Sequence, residues 1–323
     1  MGGDYAPTEI IKGAIKASSL KDAHIVLAGN EQKVRVSARQ AGLDLNNVEL
    51  VNAETEVSMD QSPSEVVKNH RDSSLFLAAA RAAQLPGSAF LSAGNTGAAM
   101  ACALFNLKRI KGVLRPAIAV VIPLGQKKLV LLDAGANVDC KPQYLQQFAL
   151  MGKVYSQNIL HVSNPKIGLL NIGSEDKKGN ELTLKAFPLL KQSNINFTGN
   201  VEGREIFEGA VDVAVCDGFI GNILLKSVEG LATLLFGEVK QALTSNLLSK
   251  LMALGLKGSL GSLKKKFDYE EYGGAYLLGL NGVAVISHGS SKEKAVYNAI
   301  RVAYEGIKTD LVGKVKQEIN SNL

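Results

Sequence analysis

Short apolar runs separated by polar, turn-rich segments recur along nearly the whole chain. HIVLAG (24–29), VELVN (48–52), AFLSAG (89–94), AIAVVIPL (117–124), KLVLLDAG (128–135), KIGLLNIG (166–173), INFTGN (195–200), VDVAVCDG (211–218) and VAVISHG (283–289) read as strands. Several lack polar alternation, as strands covered on both faces do. Helical patterns fall between them. SPSEVV (62–67) carries a Ser cap, Pro at the first position and an early Glu. This βαβα order predicts a single α/β domain over 1–323, a mostly parallel sheet wrapped by helices.

Ligands in such sheets bind beyond the carboxyl ends of the strands. Those ends read SAGNTGAA (92–99), LLDAGAN (131–137), NIGSEDKKGNE (171–181), GNVEGR (199–204), CDGFIGN (216–222) and SHGSS (287–291). Each alone reads as a tight turn, because Gly and Asn are turn residues. Six together are expected at one edge of the sheet as a polar crevice. Two of them run straight into helices, after Gly94–Asn95 and after Asp217–Gly218. Backbone N–H groups at helix starts attract anions. Lys177 and Lys178 stand in a neighbouring turn that needs only a glycine and a cap. The crevice is therefore expected to bind phosphate or a phosphorylated group.

The common nucleotide and nucleophile motifs are missing. No pair of glycines stands as G-x-G, and GxxxxGK[ST] and G-x-S-x-G do not occur. An anion cradle without a protein nucleophile suggests that the bound anion attacks. Inorganic phosphate attacking an acyl thioester fits, with the protein supplying position and oxyanion stabilisation.

The net charge of +6 favours an anionic partner: phosphate, an acidic carrier protein, a lipid surface or nucleic acid. Nucleic acid ranks last, since Trp is absent and aromatic residues are only 6% of the chain. Cys102, Cys140 and Cys216 are far apart and read as reduced, buried thiols of a cytosolic protein. The four histidines form no metal-binding pair, so no metal and no cofactor are expected. MGGDYAPTEI has no signal-peptide pattern. No run reads as long and apolar enough to span a bilayer.

From Val239 to Phe267 no acidic residue occurs, while six lysines do. Leu243, Leu247, Leu251 and Leu254 keep helical spacing, and Gly255, Gly258 and Gly261 then interrupt it. A core or dimer helix explains the leucine stripe. A leucine tip at Leu254, Leu256 and Leu260 flanked by lysines also suits an anionic membrane surface.

MGGDYAP, SAGNTGA, RIKGVLRPA, LLDAGANVDCKP, LLNIGSEDKKGNELT, NFTGNVEGR, CDGFIGN, YGGAYLLGLNG and SHGSS cover nearly the whole chain. Together they resemble the bacterial phosphate acyltransferases of phospholipid synthesis, the PlsX family. The resemblance implies transfer of a fatty acyl group from acyl carrier protein to inorganic phosphate. The acyl phosphate would then feed a glycerol-3-phosphate acyltransferase. It also implies a homodimer and a fold related to isopropylmalate dehydrogenases and phosphotransacetylases. Helices and a tip within 223–270 would project and attach the cytoplasmic protein peripherally to the membrane.

Carried over by motif, Lys178 would serve the phosphate or the oxyanion, and Asn222 the reacting carbonyl. The plainer alternatives are a solvated lysine and a helix cap. Asn95 and Thr96 would add donors. Asp133 and Asn137 would orient neighbours, and Gly173 and Asp217 would shape phosphate-binding turns. His288 is a candidate acid for the leaving thiolate, or a structural histidine. Family members begin with a short apolar strand ending in Asp-Ala before MGGD, whereas this chain starts at that Met. Either the start is assigned late or that strand is absent, and in the second case Gly2–Asp4 are expected to be poorly ordered. Two other readings compete: a nicotinamide-dependent dehydrogenase of related fold, and a non-enzymatic membrane scaffold for lipid-synthesis partners.

Overall fold

The computed structural model describes residues 1–246, 255, 258, 261, 271 and 273–322. Strands β1 (Ile25–Gly29) and β2 (Val48–Asn52) pair in parallel as a small separate sheet. The main sheet holds β3 (Ala89–Ser92), β4 (Ala117–Leu124), β5 (Lys127–Leu132), β6 (Ile167–Asn171), β7 (Phe197–Glu202), β8 (Val213–Val215), β9 (Ala275–Leu278) and β10 (Val283–Ile286). Their order across it is β3-β10-β9-β4-β5-β8-β6-β7.

Period-two alternation sends successive side chains to opposite faces. Val130 and Leu132 enter one apolar core, Leu129 and Leu131 the other. All four are fully buried, each contributing roughly 1.5–3 kcal/mol by leaving water. The first core packs against α6 (Pro142–Ile159), α7 (Glu181–Gln192), α10 (Glu293–Lys308) and α11 (Leu311–Asn320). The second packs under α3 (Pro63–Asn69), α4 (Ser74–Gln84), α5 (Thr96–Leu107) and α8 (Gly203–Phe207). Helices α1 (Thr8–Ala17) and α2 (Glu31–Gln40) cover the small sheet. The Ser62 cap holds as expected: its Oγ accepts from the Glu65 N–H, with Pro63 opening α3.

Pairing is parallel at both flanks, β3–β10 and β5–β8–β6–β7, and antiparallel through β10–β9–β4–β5. Three successive reversals leave β3 and β10 running opposite to β5, β6, β7 and β8. The expectation that all six polar turns share one edge is therefore corrected. SAGNTGAA and SHGSS leave their strands in the direction opposite to the other four turns.

Gly2–Asp4 are not loosely held. The Asp4 N–H donates to the Gly289 carbonyl at 2.9 Å. Gly3 lies so close to the Ala93 carbonyl that an added Cβ would stand 2.6 Å from it.

Helix α9 (Gly218–Leu243) leaves the sheet from the end of β8, and only Gly218 and Gly221 of it are buried. By length and composition it is apolar enough to cross a bilayer, which overturns the sequence expectation that no segment is. Its apolar residues run nearly uninterrupted, with Lys226 and Glu229 the charges along Gly218–Gly237. The tip residues Leu254, Leu256 and Leu260 lie outside the described residues.

Candidate active site

Four turns gather where β5, β8, β6 and β7 end side by side, neighbouring strands being about 4.8 Å apart. Asp133 follows β5 and is completely buried. One carboxylate oxygen accepts from the Ile118, Gly135 and Ala136 N–H groups at 3.0, 3.1 and 3.0 Å. The other accepts from the Asn137 N–H at 2.7 Å and from Asn137 Nδ2 at 2.8 Å. Burial raises its pKa, and the donors around it pull the other way. Asp133 is thus the clamp that shapes loop 133–137. Asn137 extends the clamp: its Nδ2 also donates to the Pro116 carbonyl at 2.8 Å.

Helix α9 starts hard against this loop. The Gly218 N–H donates to the Asn137 carbonyl at 2.7 Å. A Cβ on Gly218 would meet that same oxygen at 2.7 Å, and one on Gly221 would meet the Asp133 carbonyl at 1.9 Å. Only glycine permits this approach. Asp217 caps the helix, its Oδ1 accepting from the Ile220 N–H at 2.9 Å. With Asp217 as the cap, Asn222 is freed from that role. Its exposed side chain lies over Gly135, where an added Cβ would stand 3.5 Å from Asn222 Cβ.

Loop 171–180 is tied as firmly. Asn171 Nδ2 donates to the Lys178 carbonyl at 3.0 Å, and the Lys178 N–H donates to the Glu175 carbonyl at 3.0 Å. Gly179 has φ +114°, and an added Cβ would stand 2.0 Å from Thr183 Oγ1. The aliphatic stem of Lys178 passes over Gly173, its Cγ 3.1 Å from where a Cβ would be. The Lys178 ammonium is exposed and forms no ion pair with a carboxylate among the described residues. The braced loop therefore presents a cation at the end of the strand next to β8, with the Glu175 carboxylate over the same glycine.

Asn200 went unremarked in the sequence. It is buried and its Nδ2 donates to the Glu175 carbonyl at 2.8 Å, bracing the Lys178 loop from β7. Its Oδ1 is buried without a hydrogen-bond partner. An Asn inside a Gly-flanked strand end was the available signal.

Asn95, Thr96 and His288 follow β3 and β10, which run opposite to these four strands. Asn95 caps α5 through Oδ1 to the Ala98 N–H, and its Nδ2 donates to the Ser58, Met59 and Gln61 carbonyls. That side chain has no donor to spare. Thr96 is exposed in the first turn of α5. His288 is exposed, its Nδ1 accepting from the Ser290 N–H at 3.2 Å.

The cysteines supply no ready thiolate. Burial pushes Cys140 and Cys102 up to about 12, and Cys216 well above the ordinary range. Among the described residues no group of three or more metal-ligating side chains gathers.

The family model described as "Fatty acid synthesis protein" matches residues 1–314. A "Phosphate acyltransferase" of Desulfitobacterium hafniense (strain DSM 10664 / DCB-2) is 47% identical over 320 residues, covering 99% of this chain and 96% of that one. Among solved structures, a phosphotransacetylase from Streptococcus pyogenes superposes with a TM-score of 0.65 at 16% identity, over 94% of this chain and 92% of that one. A putative 4-hydroxythreonine-4-phosphate dehydrogenase from Salmonella typhimurium gives 0.51 at 12% identity, over 92% and 94%. These likenesses define the class: an acyltransferase built on the α/β fold that phosphotransacetylases share with such dehydrogenases. The chain belongs to the fatty acid synthesis protein family, the family of phosphate acyltransferases.

Proposed function

We propose that the enzyme transfers a fatty acyl group from acyl carrier protein to inorganic phosphate. A phosphate oxygen attacks the thioester carbonyl carbon and forms the new C–O bond. The tetrahedral intermediate collapses, the C–S bond breaks, and the carrier thiolate leaves and takes a proton. The products are acyl phosphate and free carrier. The observation that carries this reading is the Lys178 ammonium on a braced loop at the end of β6, the strand next to β8, from whose end the glycine-tight start of α9 follows. Lys178 holds phosphate and offsets charge as the oxyanion grows, and the Asn222 amide donates toward the carbonyl oxygen. Asp133, Asn137, Gly173 and Asp217 keep those two side chains in place. The high thiol pKa values agree with phosphate, rather than cysteine, as the nucleophile.

The exposed apolar residues of α9, among them Ile223, Leu231, Leu234 and Leu235, fit burial against a second copy in a homodimer. The leucine-and-lysine tip beyond α9 fits peripheral attachment of a cytoplasmic enzyme to an anionic membrane. There a glycerol-3-phosphate acyltransferase would consume the product. Leu254→Glu with Leu256→Glu should weaken sedimentation with anionic vesicles while sparing soluble turnover. Unchanged sedimentation would remove the membrane role.

The deciding experiment incubates the protein with palmitoyl-acyl carrier protein and inorganic phosphate, and traps acyl phosphate with hydroxylamine. Phosphate-dependent hydroxamate with release of free carrier is expected. Thioester left intact by a folded dimer would refute the reaction.

A further inference from the structure

Every charged side chain from Ser73 to Leu132 is a lysine or an arginine. The densest group lies between α5 and β4, where Lys108, Arg109, Lys111 and Arg115 are all exposed. None forms an ion pair with a carboxylate among the described residues. A run of cations is ordinarily a solvated face with floppy side chains. This one is mounted on a stiff loop.

The loop's backbone is held from several sides. The Asn281 N–H and Nδ2 donate to the Lys108 and Arg109 carbonyls at 2.9 and 2.8 Å. The Ile110 N–H donates to the Gly279 carbonyl at 3.0 Å. Gln147 bridges the far side: Oε1 accepts from the Leu114 N–H, and Nε2 donates to the Gly112 carbonyl, both at 2.8 Å. Arg109 Nη1 donates to the Val113 and Leu114 carbonyls and closes the turn. Lys108 sits over the Phe105 ring at 4.5 Å, and Arg115 over Tyr144 at 6.0 Å.

The loop also borders the candidate site. β4 is antiparallel to β5, so its start lies beside the end of β5, with Ala119 opposite Leu132. The last loop residue, Pro116, receives the Asn137 hydrogen bond that belongs to the Asp133 clamp. A hollow of about 390 Å³ opens among Leu104, Lys108, Arg109, Ile110, Lys111 and Val113. A hollow framed by lysine and arginine side chains on a braced backbone has the chemistry of a seat for an acidic protein surface.

We propose that this loop, through Lys108, Arg109, Lys111 and Arg115, is the docking surface for the acidic carrier that delivers the acyl thioester. The proposal rests on the acyl-transfer reading for the carrier's identity. Docking here sets the carrier at the sheet edge where Lys178 and Asn222 stand, leaving its thioester arm to cover the remaining distance. An anionic membrane is the competing occupant. Fixed backbone geometry and a discrete hollow favour a shaped partner over a fluid surface.

The test is the Lys108→Glu/Lys111→Glu double variant, whose residues lie outside the catalytic assignment. With acyl-carrier as substrate, KM should rise about tenfold while kcat stays within about twofold. With an acyl-pantetheine thioester, which lacks the protein, both constants should stay within about twofold. Anisotropy of labelled holo-carrier without turnover should show binding weakened by about tenfold, and salt should weaken the wild-type complex in parallel. Sedimentation with phosphatidylglycerol vesicles should be unchanged. Unaltered carrier binding would overturn the proposal, and so would an equal loss on both substrates or a loss confined to vesicles. Should the double variant fail to fold, Lys111→Glu alone is read in the same assays, with a threefold or greater loss of carrier binding expected. Carrier binding by a wild type that makes no acyl phosphate would uphold the docking site and refute the reaction.

Discussion

Asp133 and Asn137 are joined twice, one carboxylate oxygen accepting both the backbone N–H and the side-chain Nδ2 of Asn137. With three further N–H groups on the other oxygen, Asp133 fixes the loop on which α9 starts. Asp133→Asn keeps the shape and replaces one acceptor by an NH2 facing two donors. A cost of roughly 2–4 kcal/mol is expected, from orphaned buried donors and lost charge-assisted bonds. Urea denaturation measures it. A midpoint within error of wild type would show that the clamp is dispensable.

Two glycines of one helix should respond in opposite directions. A Cβ on Gly221 would stand 1.9 Å from the Asp133 carbonyl, while one on Gly230 would meet nothing within 4 Å. Gly221→Ala should cost about 3 kcal/mol or more, because backbone has to move. Gly230→Ala in the exposed helix interior should stabilise by about 0.5–1 kcal/mol. Thermal denaturation of the pair checks both signs, and a stable Gly221→Ala would mean that α9 starts farther from the loop.

Much of this scaffold was legible from the apolar runs. AIAVVIPL coincides with β4, and VELVN with β2. Buried strands announce themselves because both faces need hydrophobic side chains. β9 was not legible. AYLL is four residues long between glycines, and its place is decided by antiparallel pairing with β4 and β10 rather than by local pattern. Strand direction was equally hidden. Period-two alternation is blind to polarity, so the reversals that set SAGNTGAA and SHGSS apart left no mark. Lys178 stands out from its Gly-flanked turn, while Asn222 is named through the family resemblance of GFIGN. Asp133 and Asn137 are named as orienting residues, whereas the brace from Asn200 depends on a contact between distant segments, β7 and the 171–180 loop.

The two lysines of the 171–180 turn should separate cleanly. Lys178 lies over Gly173 and points from a braced loop, whereas Lys177 is simply exposed. Lys178→Ala should lower kcat by roughly 10²–10³ with an unchanged melting curve, as loss of one oxyanion contact does elsewhere. Lys177→Ala should stay within about threefold. Hydroxamate trapping with acyl-carrier and phosphate reads both, and equal effects would withdraw the assignment.

The thiols provide a pH test. Cys140 is only partly buried, so a small reagent reaches it, yet its pKa is raised from 9.0 to about 12. The first cause is desolvation, reinforced by the negative fields of Asp133 and Asp217, with the Gly218 N–H and then Arg115 opposing. A raised thiol pKa keeps the neutral, unreactive form across the physiological range. At pH 8 the thiolate fraction is then roughly a thousandfold below that of an ordinary cysteine. Alkylation of the native protein by iodoacetamide should accordingly be slow at pH 8 and keep accelerating through pH 10, with activity preserved at the lower pH. Rapid modification of Cys140 at pH 8, with parallel loss of acyl transfer, would reinstate a cysteine nucleophile and displace phosphate from that role.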